Sequence, residues 1–161
     1  MIVTDTGPLI AFSRIRGLPL LQQVVRELVI PEAVYNELVG TGRDRPGAQE
    51  VEHSMWIQRR AVTDLATLAL LPASLHRGER EALVLARDLR VRLLIDEQRG
   101  RKVAVEWGVE VLGSLGVLAE AKRSGFVERV KPLVDALLAA QYWIEEDLVQ
   151  PFLQELGEDD A

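Results

Sequence analysis

The chain contains no cysteine among its 161 residues, which excludes a disulfide framework, a thiolate metal site and a cysteine nucleophile. Aromatic residues are scarce, at 5% of the chain, and histidine occurs only as His53 and His76. With no second His or Cys beside either, both read as surface residues rather than ligands. No apolar run approaches the roughly 20 residues that span a bilayer, and no basic stretch followed by an apolar one marks a secretory leader. A cytoplasmic protein with no membrane partner is expected. Positive charge is also in deficit, with a formal net charge of −6. That argues against a general nucleic-acid coat, because phosphate binding rests on clustered Lys and Arg.

What the chain does have is an alternation of short apolar runs with longer helical patterns, the signature of a parallel sheet covered by helices. Apolar strands are expected at Ile2 to Thr4, Leu28 to Ile30, Arg92 to Ile95 and Val109 to Leu112, with Trp56 to Val62 as an extended edge segment. Helices are expected at Leu9 to Arg14, Leu18 to Glu27, Pro31 to Gly40, Gly78 to Leu89, Gln98 to Trp107, Ser114 to Arg123, Val130 to Ala140 and Glu145 to Leu156. Gln49 to Ser54 reads as helical, a short helix capped by Thr63 and Asp64 reaches Leu71, and Thr41 to Pro46 reads as a loop by composition. The result is a single domain over residues 1–156 of the α/β class. It is a three-layer α/β/α arrangement with a central parallel sheet of four to five strands, followed by a short acidic tail at 157–161 expected to be disordered.

Two of the apolar strands end on an acid. Ile2-Val3-Thr4 runs into Asp5 and is broken by Gly7-Pro8, while Leu93-Leu94-Ile95 runs into Asp96-Glu97. Parallel strands that finish this way deliver carboxylates to the crevice at the carboxyl edge of the sheet. Helical spacing adds two more. Glu37 lies on the stripe of Ala33, Val34 and Leu38, and Glu79 shares a face with Ala82, Leu83 and Ala86. Glu81 lines up with Leu85 and Asp88 on a more exposed flank and stays open as an alternative to Glu79, as does Glu97 beside Asp96. A cluster of Asp5, Glu37, Glu79 and Asp96 would repel itself without cations. Oxygen-only ligands select hard metals such as Mg²⁺ or Mn²⁺, and such metals serve phosphate chemistry by activating water and stabilising the leaving oxygen.

Five segments carry a resemblance. Ile2 to Ile10, Ile30 to Leu38, Gly78 to Leu83 and Leu94 to Arg101 occur in order and are similar to the PIN-domain family. Gly113 to Leu118, followed by Ala121-Lys122 and Gly125, resembles one prokaryotic branch of it. The resemblance implies an α/β/α metal-dependent nuclease acting on RNA, in many prokaryotic members the toxin of a toxin–antitoxin pair, so a protein antitoxin is an implied partner. Asp5 corresponds to the first family acid and Thr6 to the hydroxyl residue beside it. Glu37, Glu79 and Asp96 correspond to the second, third and fourth acids. Gly7 stands where many relatives carry Ser. Thr6 and Ser114 are expected to orient water or phosphate from behind the metal ligands, although Ser114 is most simply an N-cap. Arg99, Arg101 and Lys102, directly after Asp96, are expected to contact the substrate backbone. The apolar C-terminal helices suggest a homodimer.

Asp5-Thr6-Gly7 also imitates an aspartic-protease signature, but that chemistry needs a chain dominated by strands and hairpins. A doubly wound phosphatase would want a second acid near the first and a later Lys. A non-catalytic PIN-like module that binds RNA or protein is the stronger alternative, opposed by the four intact acids. Trp56, Trp107 and Trp143 read as core or interface rings rather than base-stacking platforms.

Overall fold

The computed structural model describes residues 1–40 and 44–159. Its centre is a five-stranded sheet in the order β3-β2-β1-β4-β5, with every neighbouring pair parallel. The strands are β1 (Ile2–Thr4), β2 (Leu28–Pro31), β3 (Ile57–Arg60), β4 (Leu93–Leu94) and β5 (Val111–Leu112). The edge segment expected around Trp56 is thus a true strand at one rim. β4 and β5 are shorter than the apolar runs that encode them.

Because successive side chains of a strand point to opposite faces, each buried strand feeds both layers. Ile2, Leu28, Ile30 and Leu94 join one core, and Val3, Val29, Leu93 and Ile95 the other. The first core is closed by α1 (Thr6–Arg14), α2 (Leu18–Val25), α8 (Ser114–Arg123), α9 (Lys131–Ala139) and α10 (Glu146–Glu155). The second is closed mainly by α6 (Arg77–Leu89) and α7 (Gln98–Glu106). Strands apolar on both faces need helices on both faces. The three-layer reading is therefore what the sheet's composition demands.

α3 (Glu32–Tyr35) is where the pattern misleads. In place of one α-helix from Pro31 to Gly40, four α-helical residues pass into a single π-helical turn, Asn36–Gly40. Such turns widen the backbone by one residue and break the 3.6-residue register. Residues 41–43 of the expected loop lie outside the described residues, and α4 (Ala48–His53) follows. Asp64 caps α5 (Leu65–Leu70), accepting from the Thr67 N–H at 2.9 Å.

Of the expected acidic tail, Gly157, Glu158 and Asp159 are described, and Glu158 is buried. Its carboxylate accepts from Lys122 Nζ (2.6 Å) and from the backbone N–H groups of Val130 and Lys131 (both 2.8 Å). It therefore caps the start of α9 and ties α8 and the end of α10 to it.

Candidate active site

Strand order places the site. β1 leads to β2 on one side, while β4 lies against β1 on the other and leads to β5. The carboxyl ends of β1 and β4 therefore flank the point where the winding reverses, the crevice in which open α/β sheets bind ligands. Register pairs Thr4 with Leu94, and the Asp5 N–H reaches the Leu94 carbonyl at 3.4 Å. Asp5 and Asp96 thus leave adjacent strands side by side.

A cleft of about 500 Å³ opens there, and Asp5, Glu37, Glu79 and Asp96 all line it, together with Thr6, His76, Glu97, Tyr142 and Trp143. Asp5 lies deepest, at 6% exposure, and its Oδ1 is buried with no hydrogen-bond partner. Burial, and then the neighbouring charges of Asp96, Glu79 and Glu37, push its carboxyl well above the ordinary carboxylate range. Glu79, at the first turn of α6, accepts from the His76 N–H at 2.9 Å. Burial raises its pKa too, partly offset by that N–H and reinforced by Glu97 and Glu37.

Glu37 sits at the mouth rather than in the core. It follows the start of the π turn and its side chain is 46% exposed. The Thr6 hydroxyl donates to its Oε2 at 2.8 Å, and Arg45 Nη1 stands 4.0 Å from its Oε1. A Cβ on Gly78 would come within 3.4 Å of the same Oε2, so glycine there leaves room for the carboxylate against α6.

Asp96 is held on both oxygens. The Ser114 N–H donates to Oδ1 at 2.7 Å, the Ser114 hydroxyl to Oδ2 at 2.5 Å, and the Tyr142 hydroxyl also donates to Oδ2. Ser114 is accordingly the first residue of α8 rather than its N-cap. Gly113 occupies the cap position, and the serine hydroxyl turns to Asp96.

Other expected residues are placed differently from one another. Glu81 is not on an exposed flank. At 4% exposure it accepts from the Ala33 N–H at 3.0 Å and pairs with Arg77 at 2.8 Å, capping α3 away from the cleft lining. Glu97 lines the cleft while capping α7 through the Gly100 N–H (2.7 Å). Arg99 and Lys102 are exposed on α7. Arg101 is half-buried and donates to the Ile95 carbonyl at 2.9 Å, so its guanidinium braces the end of β4. Tyr142 was missed by spacing, and Trp143, expected as a core or interface ring, is exposed at the cleft instead, because both lie in an irregular connection between α9 and α10. The available signal was an aromatic pair in an aromatic-poor chain. Trp143 is 69% exposed and lines the cleft mouth.

The donors are all oxygens, one buried and unpartnered, in a negative pocket that drives Asp5 toward protonation. That set suits a hard divalent cation. Among the described residues no three His, Asp or Glu side chains stand close enough to hold one ion together. Mg²⁺ does not need three, since it keeps several waters and takes one or two carboxylates plus substrate phosphate.

A doubly wound α/β/α fold with an acid-lined cleft at its switch point defines the class. Within it, a family model described as "DUF3368: PIN domain" matches residues 1–158, and the chain belongs to the PIN-domain family. Members of that family are generally nucleases. Among solved structures the chain is similar to a PilT N-terminus domain protein, SSO1118, from the hyperthermophilic archaeon Sulfolobus solfataricus P2. The TM-score is 0.53 and the identity 17%, over 75% of this chain and 93% of that one; at that identity the likeness speaks for the fold. No curated protein matches the chain. Among the described residues, no helix is long and apolar enough to cross a membrane.

Proposed function

We propose that this protein is a Mg²⁺- or Mn²⁺-dependent endoribonuclease that hydrolyses RNA phosphodiester bonds. The observation that carries the proposal is that four carboxylates from four separate segments line one cleft, with Oδ1 of Asp5 buried and unpartnered in it. Asp5 and Asp96 would hold the cation directly, with Glu37 and Glu79 holding its waters. When bound, the cation supplies water activation and stabilises charge on the leaving oxygen.

The remaining work belongs to the chain. The Thr6 hydroxyl fixes the orientation of Glu37, and the His76 N–H fixes Glu79. Ser114 fixes both oxygens of Asp96. Arg99 and Lys102, exposed on α7 next to the cleft, supply the positive charge that draws the RNA backbone toward an otherwise acidic site. Arg101 keeps Asp96 in place by bracing the end of β4.

Within the same reading the protein works in the cytoplasm as the toxin of a toxin–antitoxin pair and pairs with a second copy through α9 and α10, where Leu138 and Leu148 are exposed. Sedimentation of the purified chain tests the dimer. Inhibition by the product of an adjacent reading frame tests the toxin role.

The decisive assay is cleavage of a single-stranded RNA in Mn²⁺. Asp5→Asn keeps the shape of the side chain and removes its charge, and cleavage should fall at least 100-fold, about 2.7 kcal/mol of transition-state stabilisation. Cleavage unchanged in that variant would remove Asp5 from the chemistry and sink the proposal.

A further inference from the structure

The C-terminal connection between α9 and α10 crosses the mouth of the site, and one of its side chains reaches inside. Residues 140–145 have no helix or strand of their own. Gln141, directly before Tyr142, adopts φ +59°, a left-handed conformation that a non-glycine residue occupies at a cost. From there the half-buried Tyr142 donates its hydroxyl to Oδ2 of Asp96. The hydroxyl also lies 3.6 Å from the position a Cβ on Gly7 would take, two residues beyond Asp5. That is an ordinary contact distance, and it places the phenol directly over the first turn of α1 that follows Asp5.

Both oxygens of Asp96 are taken by Ser114 and Tyr142, while Oδ1 of Asp5 is left without a partner, so the phenol occupies part of the carboxylate that a cation held by Asp96 would need. We infer that Tyr142 competes with the divalent cation for Asp96, and that the 140–145 connection is a strap that must lift the phenol away before the site loads. This rests on the metal-dependent reading above. At the rim of the cleft the strap is held by exposed hydrogen bonds from Gln98 to Glu145 and from Arg14 to the Ala140 carbonyl, contacts that solvent can replace at little cost. Tyr142 and Ile144 pack against the core and set the greater part of the cost of lifting it.

The test measures Mn²⁺ binding to the full-length chain by titration calorimetry, without RNA. Tyr142→Phe keeps the ring and removes only the competing hydroxyl, so Mn²⁺ should bind about tenfold tighter, the scale of one charge-assisted hydrogen bond. The gain should vanish when Asp96→Asn is added. Unchanged or weaker binding by Tyr142→Phe overturns the inference, since it would make the phenol a bystander or a support for the ligand.

A second readout needs no variant to fold. The other tyrosine, Tyr35, lies under Arg59 at 4.1 Å on β3's side of the sheet. Mn²⁺ added to the unaltered chain should perturb tyrosine absorption near the cleft, and a flat difference spectrum on saturation overturns the strap. If Asp5→Asn abolishes Mn²⁺ binding while Tyr142→Phe leaves it unchanged, the inference alone fails. If neither the unaltered chain nor Tyr142→Phe binds Mn²⁺, the inference and the metal-dependent reading fall together.

Discussion

Replacing Glu158 with Gln should destabilise the protein far more than an ordinary surface substitution would. The carboxylate is 3% exposed and accepts one bond from an ammonium and two from the N–H groups that open α9. Burial alone would push its pKa up, but Lys122 and the two N–H groups outweigh it and hold the carboxyl at about 2, against an ordinary 4.5. At about 1.4 kcal/mol per pKa unit, that depression corresponds to an upper bound of about 3 kcal/mol. A carboxylate whose folded pKa is depressed contributes stability above its unfolded pKa and loses it as pH falls through the folded value. The contribution is therefore complete above about pH 5 and fades from there toward pH 2. Urea denaturation of both chains at a series of pH values isolates the effect as a difference, since the other carboxylates titrate alike in each. Glu158→Gln should cost about 2–3 kcal/mol at pH 7, and the gap should close on acidification. A deficit under about 0.5 kcal/mol at pH 7, the size of an ordinary surface change, would refute the clasp. So would a gap that does not vary with pH.

Asp5→Asn should raise the stability of the metal-free protein while it removes activity. A carboxyl whose folded pKa is raised destabilises the fold as pH climbs past its unfolded value, and the amide is spared that cost. Differential scanning in EDTA at pH 7.5 should show a higher Tm, each kcal/mol reading as roughly 2–4 °C for a chain of this size. At pH 4 the gain should shrink. For the substrate path, the double variant Arg99→Ala with Lys102→Ala should weaken RNA binding without sequence preference. It should also flatten the salt dependence by about 1.4 in log–log slope, the value for two lost single-strand phosphate contacts. Fluorescence anisotropy across 50–300 mM KCl measures it.

Much of this architecture was legible because the strands are apolar on both faces, which only a covered parallel sheet satisfies. Asp5 and Asp96 were legible for the same reason, as acids that end such runs. Glu37 was found by α-helical spacing, yet the π turn at Asn36–Gly40 shifts that register, and the side chain sits at the mouth instead of in the core. Periodicity put Glu79 inward and Glu81 on a more exposed flank, yet both are buried. One faces the cleft, and the other is consumed by the Ala33 N–H and Arg77. Burial of an acid does not reveal its partner. Ser114 was read as a cap because hydroxyl residues favour that position, but a carboxylate on the neighbouring strand outcompeted the helix for its hydroxyl. Tyr142 had no periodic pattern to place it, since irregular connections are positioned by tertiary contacts alone.

The pairing of β1 with β4 has a consequence in time. The Thr4 hydroxyl bonds to the Leu94 carbonyl across 90 residues of chain, and the β1–β4 pairing that sets Asp5 beside Asp96 joins segments equally far apart in sequence. Closing so long a loop is paid in entropy before any contact returns it, and folds built on such pairings form slowly. No early helix or hairpin can bring the two acids together. During synthesis, a nascent chain that has not released β4 from the ribosome carries Asp5, Glu37 and Glu79 but lacks Asp96. The pairing of Asp5 with Asp96 is therefore a late event in the making of this fold.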